Sequence, residues 1–244
     1  QLQSISSAQL NAIGTAQVQA LSTAQIKALT TAQLAAVSSA QLEALTSAQV
    51  QVLSSDQLNV LTLGSLQAIE AADLQTIGTS QIAALSTAQL NNLSTDQVRG
   101  LTSTQLQSLT TVQMQRISSV QMEAMTAEQV KVLSSTQLNA LNSTALQAIE
   151  TADVQEMTTA QLSTLSSDQI NRLTTDQVQA LTTAQVQSLT STQLNGMNSS
   201  AVAALTSTDL QALTTSQMKT LTAAALNKLS AEEQVPNLLT TQVQ

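Results

Sequence analysis

From Ile5 to Lys228 one eight-residue phrase repeats 28 times without an insertion or deletion. Leu21–Ala28 reads LSTAQIKA, Leu29–Ala36 reads LTTAQLAA and Leu181–Ser188 reads LTTAQVQS. With the eight positions lettered a to h, a and f are always Leu, Ile, Val or Met. Position b is nearly always Ser or Thr, and e is usually Gln. A strict short period marks a repeat architecture whose units pack mainly on their neighbours.

The period excludes the two simplest folds. Eight residues at about 100° each leave a drift of about 80° per octad, so in one continuous helix the a and f side chains would spiral without forming a stripe. In one flat strand, a and f lie an odd number of residues apart and point to opposite faces. The chain must bend once per octad.

The polar positions say how. Ser or Thr at b and Gln three residues later have the spacing of a capping box. The hydroxyl accepts from the amide at e, and the Gln side chain reaches back to the amide at b. The apolar residues at a and f then stand where a hydrophobic staple closes over the cap. In Leu21–Ala28 the box is Ser22 with Gln25, and the staple is Leu21 with Ile26.

The charges support this phase independently. All seven basic residues (Lys27, Arg99, Arg116, Lys131, Arg172, Lys219 and Lys228) fall at g or h. Most acids fall at b, d or e; only Glu43, Glu123 and Glu156 do not. Acids in the first turn and bases in the last are what the helix dipole favours.

The expected fold is therefore all-α: a solenoid of very short stacked helices, one per octad. Each is expected to run six or seven residues, from c to the next a, and helices so short are stable only when packed. Positions a and f supply the inner wall, and the frequent Ala at d and h is expected to let neighbours approach closely. Two octads per coil would give 14 coils, and at about 8–10 Å per packed layer a rod of roughly 110–140 Å. The alternative is a β-solenoid with sixteen-residue rungs, suited to Ser, Thr, Val and Ile and to stacked Gln ladders. Only five Gly and no recurring turn dipeptides argue against it, as do the helix-forming Ala, Leu and Gln.

Residues 1–228 read as one continuous octapeptide-repeat solenoid and 229–244 as a divergent terminal repeat with a Pro break. In Leu229–Pro236 (LSAEEQVP), Gln234 occupies the apolar position f, and Pro236 disfavours a helical Val235. Leu239–Gln244 then resumes as an octad start with one residue missing. At the other end Gln1–Ser4 is the second half of an octad, so the chain reads as a processed product or a segment of a longer one. The competing explanation is that the open ends join copies head to tail.

A slower rhythm of 80 residues overlies the octad. Gln is lost from e at Ser65 and Asp73, again at Ala145 and Asp153, and again at Ala225 and Glu233, with an off-period pair at Ala201 and Asp209. A duplicated ten-octad block explains the spacing, and a lateral contact recurring at equal steps is the sharper reading.

Composition removes most chemistry. Cys, His, Trp, Tyr and Phe are absent, and charged residues make up 9%. Disulfides, thiol chemistry and the usual zinc ligands are thereby unavailable, and so are aromatic platforms for bases or sugars. A formal net charge of −8 argues against nucleic acid as a partner. No apolar run is long enough for a membrane span. The carboxylate pairs Glu70 with Asp73 and Glu150 with Asp153 sit at capping positions, and no calcium-loop motif accompanies them. The sequons at Asn92, Asn142 and Asn198 are expected by chance in so Ser/Thr-rich a chain. Met114, Met122, Met125, Met157, Met197 and Met218 occupy a or f and read as core. Thr pairs such as Thr30–Thr31 and Thr182–Thr183 suggest ice binding, but b is already used as a cap.

Catalytic, metal and cofactor sites are therefore expected to be absent, as is a small-molecule substrate. The L-[ST]-[ST]-x-Q-[LIVM] octad resembles the Gln/Ser/Thr-rich repeat regions of large bacterial surface and secreted proteins, such as adhesin stalks and extracellular fibres. The resemblance covers nearly the whole chain. The uninterrupted register and a chain that begins mid-octad point to a non-enzymatic structural protein, a subunit or rod segment of an extracellular or cell-surface filament. Its partners are then copies of itself, head to tail, with lateral contact as a further option. The alternative is the stalk of a large adhesin whose binding domain lies outside this chain. One mutational contrast follows from the register: Leu106→Asp should damage stacking more than Gln105→Ala, because an unpaired buried charge costs more than a lost cap.

Overall fold

A computed structural model describes residues 4–229 and 234–238. Among these residues there are 28 α-helices, from Ser7–Asn11 to Ala223–Leu226, and no strand. The all-α reading holds, with one helix per octad. The helices are shorter than the sequence suggests, at four to six residues: Ala71–Leu74 spans four and Ser103–Ser108 six. Position a is not part of the helix. In the octad Leu101–Ser108 the helix is entered through Thr102 (φ −73°, ψ 158°) and left through Leu109 (φ −61°, ψ 131°). Each repeat is thus about one and a half helical turns followed by two extended residues. The Leu106 amide donates to the Thr102 carbonyl at 2.9 Å, and the Leu109 amide closes onto Leu106 at 3.1 Å. That last bond spans only three residues. Tightening the final turn in this way satisfies an orphan carbonyl and turns the chain outward.

The chain divides into two compact units, Gln1–Met125 and Thr126–Gln244. In the first, each helix packs chiefly on the helix three octads away, as Thr79–Ala83 does on Ser103–Ser108. The second repeats this step in Ala127–Val132 with Thr151–Glu156. There Ser167–Arg172 also touches Ser199–Ala204, four octads on. A coil therefore takes between three and four octads, not two. Two helices per coil would leave no enclosed space for two apolar residues from every octad; a wider coil encloses an axial core. Positions f and a fill it: Leu58, Leu106 and Leu138 are fully buried, and Leu61, Leu109 and Leu141 nearly so.

The small residues do not all serve close packing. Position d faces solvent, where Val112 and Val120 are 59% and 60% exposed. Position h does approach the coil beneath. A Cβ added to Gly196 would lie 2.8 Å from the Cβ of Ser167, and one added to Gly100 would lie 3.0 Å from the Cβ of Ala71.

The terminal break resolves in part. Leu238 donates its amide to Val235 at 3.2 Å, the bond that a makes to f in other octads. Gln234 therefore stands at e and Val235 at f, one residue later than the sequence register places them. Glu232, Glu233 and the resumed repeat at 239–244 lie outside the described residues, as do residues 1–3.

Candidate functional site

Among the described residues, glutamine at position e is the polar side chain most often carried into the core, and these glutamines join the coils. Most work at both ends of the side-chain amide. In the octad Leu101–Ser108 the Gln105 backbone amide donates to the Thr102 hydroxyl at 3.3 Å. The Thr102 amide donates to Gln105 Oε1 at 3.0 Å, which completes the capping box. Gln105 Nε2 then donates to the carbonyls of Leu74 and Ile77, both at 2.8 Å, in the coil beneath. Those carbonyls belong to positions f and a, 31 and 28 residues earlier.

The same pair of bonds recurs along the first unit. Gln41 reaches Leu10 and Ile13 at 3.0 and 2.8 Å, Gln97 reaches Leu66 and Ile69 at 2.9 and 2.7 Å, and Gln113 reaches Ile82 and Leu85 at 2.9 Å each. In the second unit Gln161 reaches Val130 and Leu133, Gln177 reaches Leu146 and Ile149, and Gln193 reaches Leu162 and Leu165, all within 3.0 Å. These glutamines are 2–6% exposed. A buried backbone carbonyl that has lost water needs a donor, and the ladder supplies one where the extended a–b link leaves the helix.

This explains a choice that capping alone leaves open. A capping box accepts Glu as readily as Gln at its third helical position, yet from Ile5 to Lys228 no e residue is Glu. Of these two side chains, only the amide can accept at one end and donate at the other. The absence of Glu at e was the sequence signal for a second partner. Gln234 confirms the geometry out of register, donating to Val202 and Leu205 at 2.7 and 2.9 Å.

A second ladder, unforeseen in the sequence, runs along the outer edge and points the other way. Asn139, at position g, donates from Nδ2 to the Thr164 carbonyl at 2.9 Å and accepts the Ser166 amide on Oδ1 at 2.7 Å. Asn59 grips Ala84 and Ser86, Asn171 grips Gly196 and Asn198, and Asn195 grips Thr220 and Thr222 in the same way. The Asn takes the amide that the capping-box Gln would otherwise hold. Two of the four octads clamped in this way lack the glutamine, with Ala201 and Ala225 at e, and two keep it as Gln89 and Gln169, whose Nε2 still donates to Leu61 and Leu141.

At the other exceptions the ladder is altered. Ser65 keeps one rung, its hydroxyl donating to the Val37 carbonyl at 3.3 Å. Asp209 preserves the capping box, accepting the Thr206 amide at 2.9 Å, but a carboxylate has nothing to donate to the coil beneath. Asp73 accepts from the Ser47 hydroxyl of another coil. Glu70 and Glu150 begin their helices without a side-chain cap bond. Asp153 is buried, and its carboxyl is raised above the ordinary 3.8 by loss of solvent and then by the charge of Glu150.

The charge pattern has a matching geometry. Asp96 and Arg99 share the helix Thr95–Gly100, 4.0 Å apart. Glu156, an exception to the sorting, lies 3.7 Å from Lys131 across the coils. Both pairs are exposed and contribute little to stability.

Of the Asn-x-Ser/Thr positions, Asn142 and Asn198 are helix caps, receiving the amides of Ala145 and Ala201 at 2.9 and 2.8 Å. Thr30 and Thr182 are caps as well, holding Gln33 and Gln185. The six methionines are buried. Among the described residues no three acidic, His or Cys side chains come together, and no helix is long and apolar enough to cross a membrane.

No curated protein matches the chain. A family model described as the ALTTAQ repeat matches residues 1–31, 28–63, 66–103 and 146–183. Those stretches include the ladder glutamines Gln41, Gln97, Gln161 and Gln177 and cover more than half of the sequence, so the chain belongs to the ALTTAQ repeat family.

Proposed function

We propose that this protein is a non-enzymatic structural element, a rod segment or subunit of an extracellular filament built by end-to-end stacking of coils. The observation that carries the reading is the polarity of the glutamine ladder. Every rung donates in the same direction, so one edge of a coil offers amide donors and the other offers carbonyl acceptors. Such edges are complementary and unlike, which is the heterologous contact that extends without closing. Residues with no acid–base or nucleophilic partner suit a scaffold better than a catalyst. The extracellular or cell-surface setting rests on the resemblance to surface and secreted repeat regions. Negative-stain microscopy of the concentrated protein tests the filament: fibres are expected, and dispersed single particles at high concentration would refute it.

The second reading is the stalk of a large adhesin whose binding domain lies outside this chain. The same ladder supports it, since further octads of one polypeptide fit a coil edge as well as another copy does. A long reading frame with non-repeat domains around this segment would favour it. Ice binding is a distant third, because the b hydroxyls are held in caps.

A further inference from the structure

We infer that Asn195–Gly196 is a self-modification site, at which Asn195 loses its side-chain amide as ammonia, and that the outer clamp sets the rate of that loss. Asn195 is the only Asn in the chain followed by Gly. At the other clamps the next residue is Val60, Ala140 or Arg172, whose Cβ shields the amide nitrogen. Glycine fits here because position h meets the coil beneath: a Cβ on Gly196 would lie 2.8 Å from that of Ser167. The packing of the coils therefore sets an unshielded amide beside a clamp carboxamide. Asn195 is half-buried and Gly196 exposed, so solvent reaches the pair.

While clamped, the pair is held out of reaction. Asn195 Nδ2 donates to the Thr220 carbonyl at 3.0 Å, and Oδ1 accepts the Thr222 amide at 2.8 Å. Both residues also belong to the helix Ser191–Gly196. The clamp must release and the last turn unwind before the Gly196 nitrogen can face Asn195 Cγ, which is a local opening. That nitrogen then gives its proton to solvent and bonds to Cγ. The Cγ–Nδ2 bond breaks, and the nitrogen takes a proton from solvent and leaves as ammonia. Water opens the resulting cyclic imide at either carbonyl, leaving aspartate or the isomer whose backbone runs through Cγ. The sum is water consumed and ammonia released, with no change of oxidation state. An aspartate at 195 still accepts the Thr222 amide but has no donor for the Thr220 carbonyl. The isomer adds a backbone carbon and carries its carboxylate elsewhere. Either product breaks a bond between two coils irreversibly, at one defined rung.

The test incubates the full chain at neutral pH and follows it by peptide mapping with mass spectrometry, which reads the exchange of amide for acid at each Asn. Conversion is expected at Asn195 ahead of every other Asn. It should run at least about tenfold slower in the folded protein than in the chain unfolded in urea. Thr222→Pro releases one side of the clamp without straining the backbone. Thr222 has φ −75° and Leu221 has ψ 131°, the angles that Pro and the residue before it require. The variant loses the amide that Asn195 Oδ1 holds, together with the hydroxyl that caps Ala225. Thr222→Ala loses the hydroxyl alone. Thr222→Pro should convert Asn195 about fivefold faster than Thr222→Ala, from the loss of one hydrogen bond. Equal rates in the two variants would overturn the clamp's control of the reaction. So would equal rates in folded and unfolded wild type, a comparison that needs no variant to fold. Conversion spread evenly over other asparagines would overturn the site, and so would an intact Asn195 in the folded chain after the unfolded chain has reacted many times over.

Discussion

The substitution Gln105→Glu separates the two jobs of a ladder glutamine. Its Oε1 task survives, because a carboxylate oxygen accepts the Thr102 amide as well as the amide does. Its Nε2 task is lost, and with it the bonds to Leu74 and Ile77 at 2.8 Å. Two such bonds contribute about 0.5–1.5 kcal/mol each in net terms. The larger cost is a charge placed where the side chain is 2% exposed, facing two carbonyl oxygens. An unpaired buried carboxylate costs several kcal/mol until it takes up a proton. The expected loss is about 3–5 kcal/mol at pH 7. In acid it should shrink toward about 1–2 kcal/mol, where the protonated group donates one bond. Gln25→Glu is the matched control: the same residue change in the same box, exposed, with no cross-coil bond. It should stay within about 0.5 kcal/mol of wild type. Urea unfolding followed by far-ultraviolet circular dichroism gives the comparison. Hydrogen exchange of the Leu106 and Leu109 amides localises it, because repeat arrays can open in parts. Equal shifts for the two variants would show that the Nε2 donors contribute nothing. The ladder also revises the contrast between Leu106→Asp and Gln105→Ala. Leu106→Asp remains the more damaging, but Gln105→Ala now leaves two buried carbonyls and a cap amide without partners, which narrows the gap.

The outer ladder and the buried acid make two further tests. Asn139→Ala removes the bonds to Thr164 and Ser166 and should cost about 1–2 kcal/mol; an unchanged melting temperature would mean that water replaces the side chain without loss. Asp153 has a raised carboxyl pKa in the folded state, so the folded protein binds its proton more tightly than the unfolded chain does. Its stabilising contribution is complete below 3.8 and is lost as pH rises through the folded value. Asp153→Asn should remove that component of the pH dependence and raise the melting temperature at pH 7 relative to wild type. A pH profile parallel to wild type would show that Asp153 does not titrate as described.

The local structure was legible because its causes are local. Ser22 and Gln25 lie three residues apart, and a capping box needs nothing beyond that spacing. Leu21 and Ile26 close over it, and Lys27 falls in the last turn where the dipole favours it. A period of eight, with helix-forming residues and few glycines, left short stacked helices as the fold. The helices are shorter than the apolar pattern predicts, because the a residue continues the apolar stripe without continuing the helix. It is an extended link, and only its ψ near 131–140° in octads such as Leu109 and Leu165 shows this.

What the tertiary structure alone decided is how the repeats meet. The number of octads per coil depends on the bend at each a–b link summed around a turn, and small changes in two backbone angles alter it without changing any residue type. The Nε2 bonds of Gln41 or Gln105 therefore could not be assigned, since their partners lie 28 and 31 residues away only in a coil of between three and four octads. The Asn clamps at Asn59 and Asn139 were hidden for the same reason, and so was the shifted register of Gln234. The sequence by itself determined each turn of helix, its cap and its apolar face, because those interactions close within eight residues. The coil determined which carbonyls lose water and which side chain must replace it, because that is set by contacts between residues far apart in the chain.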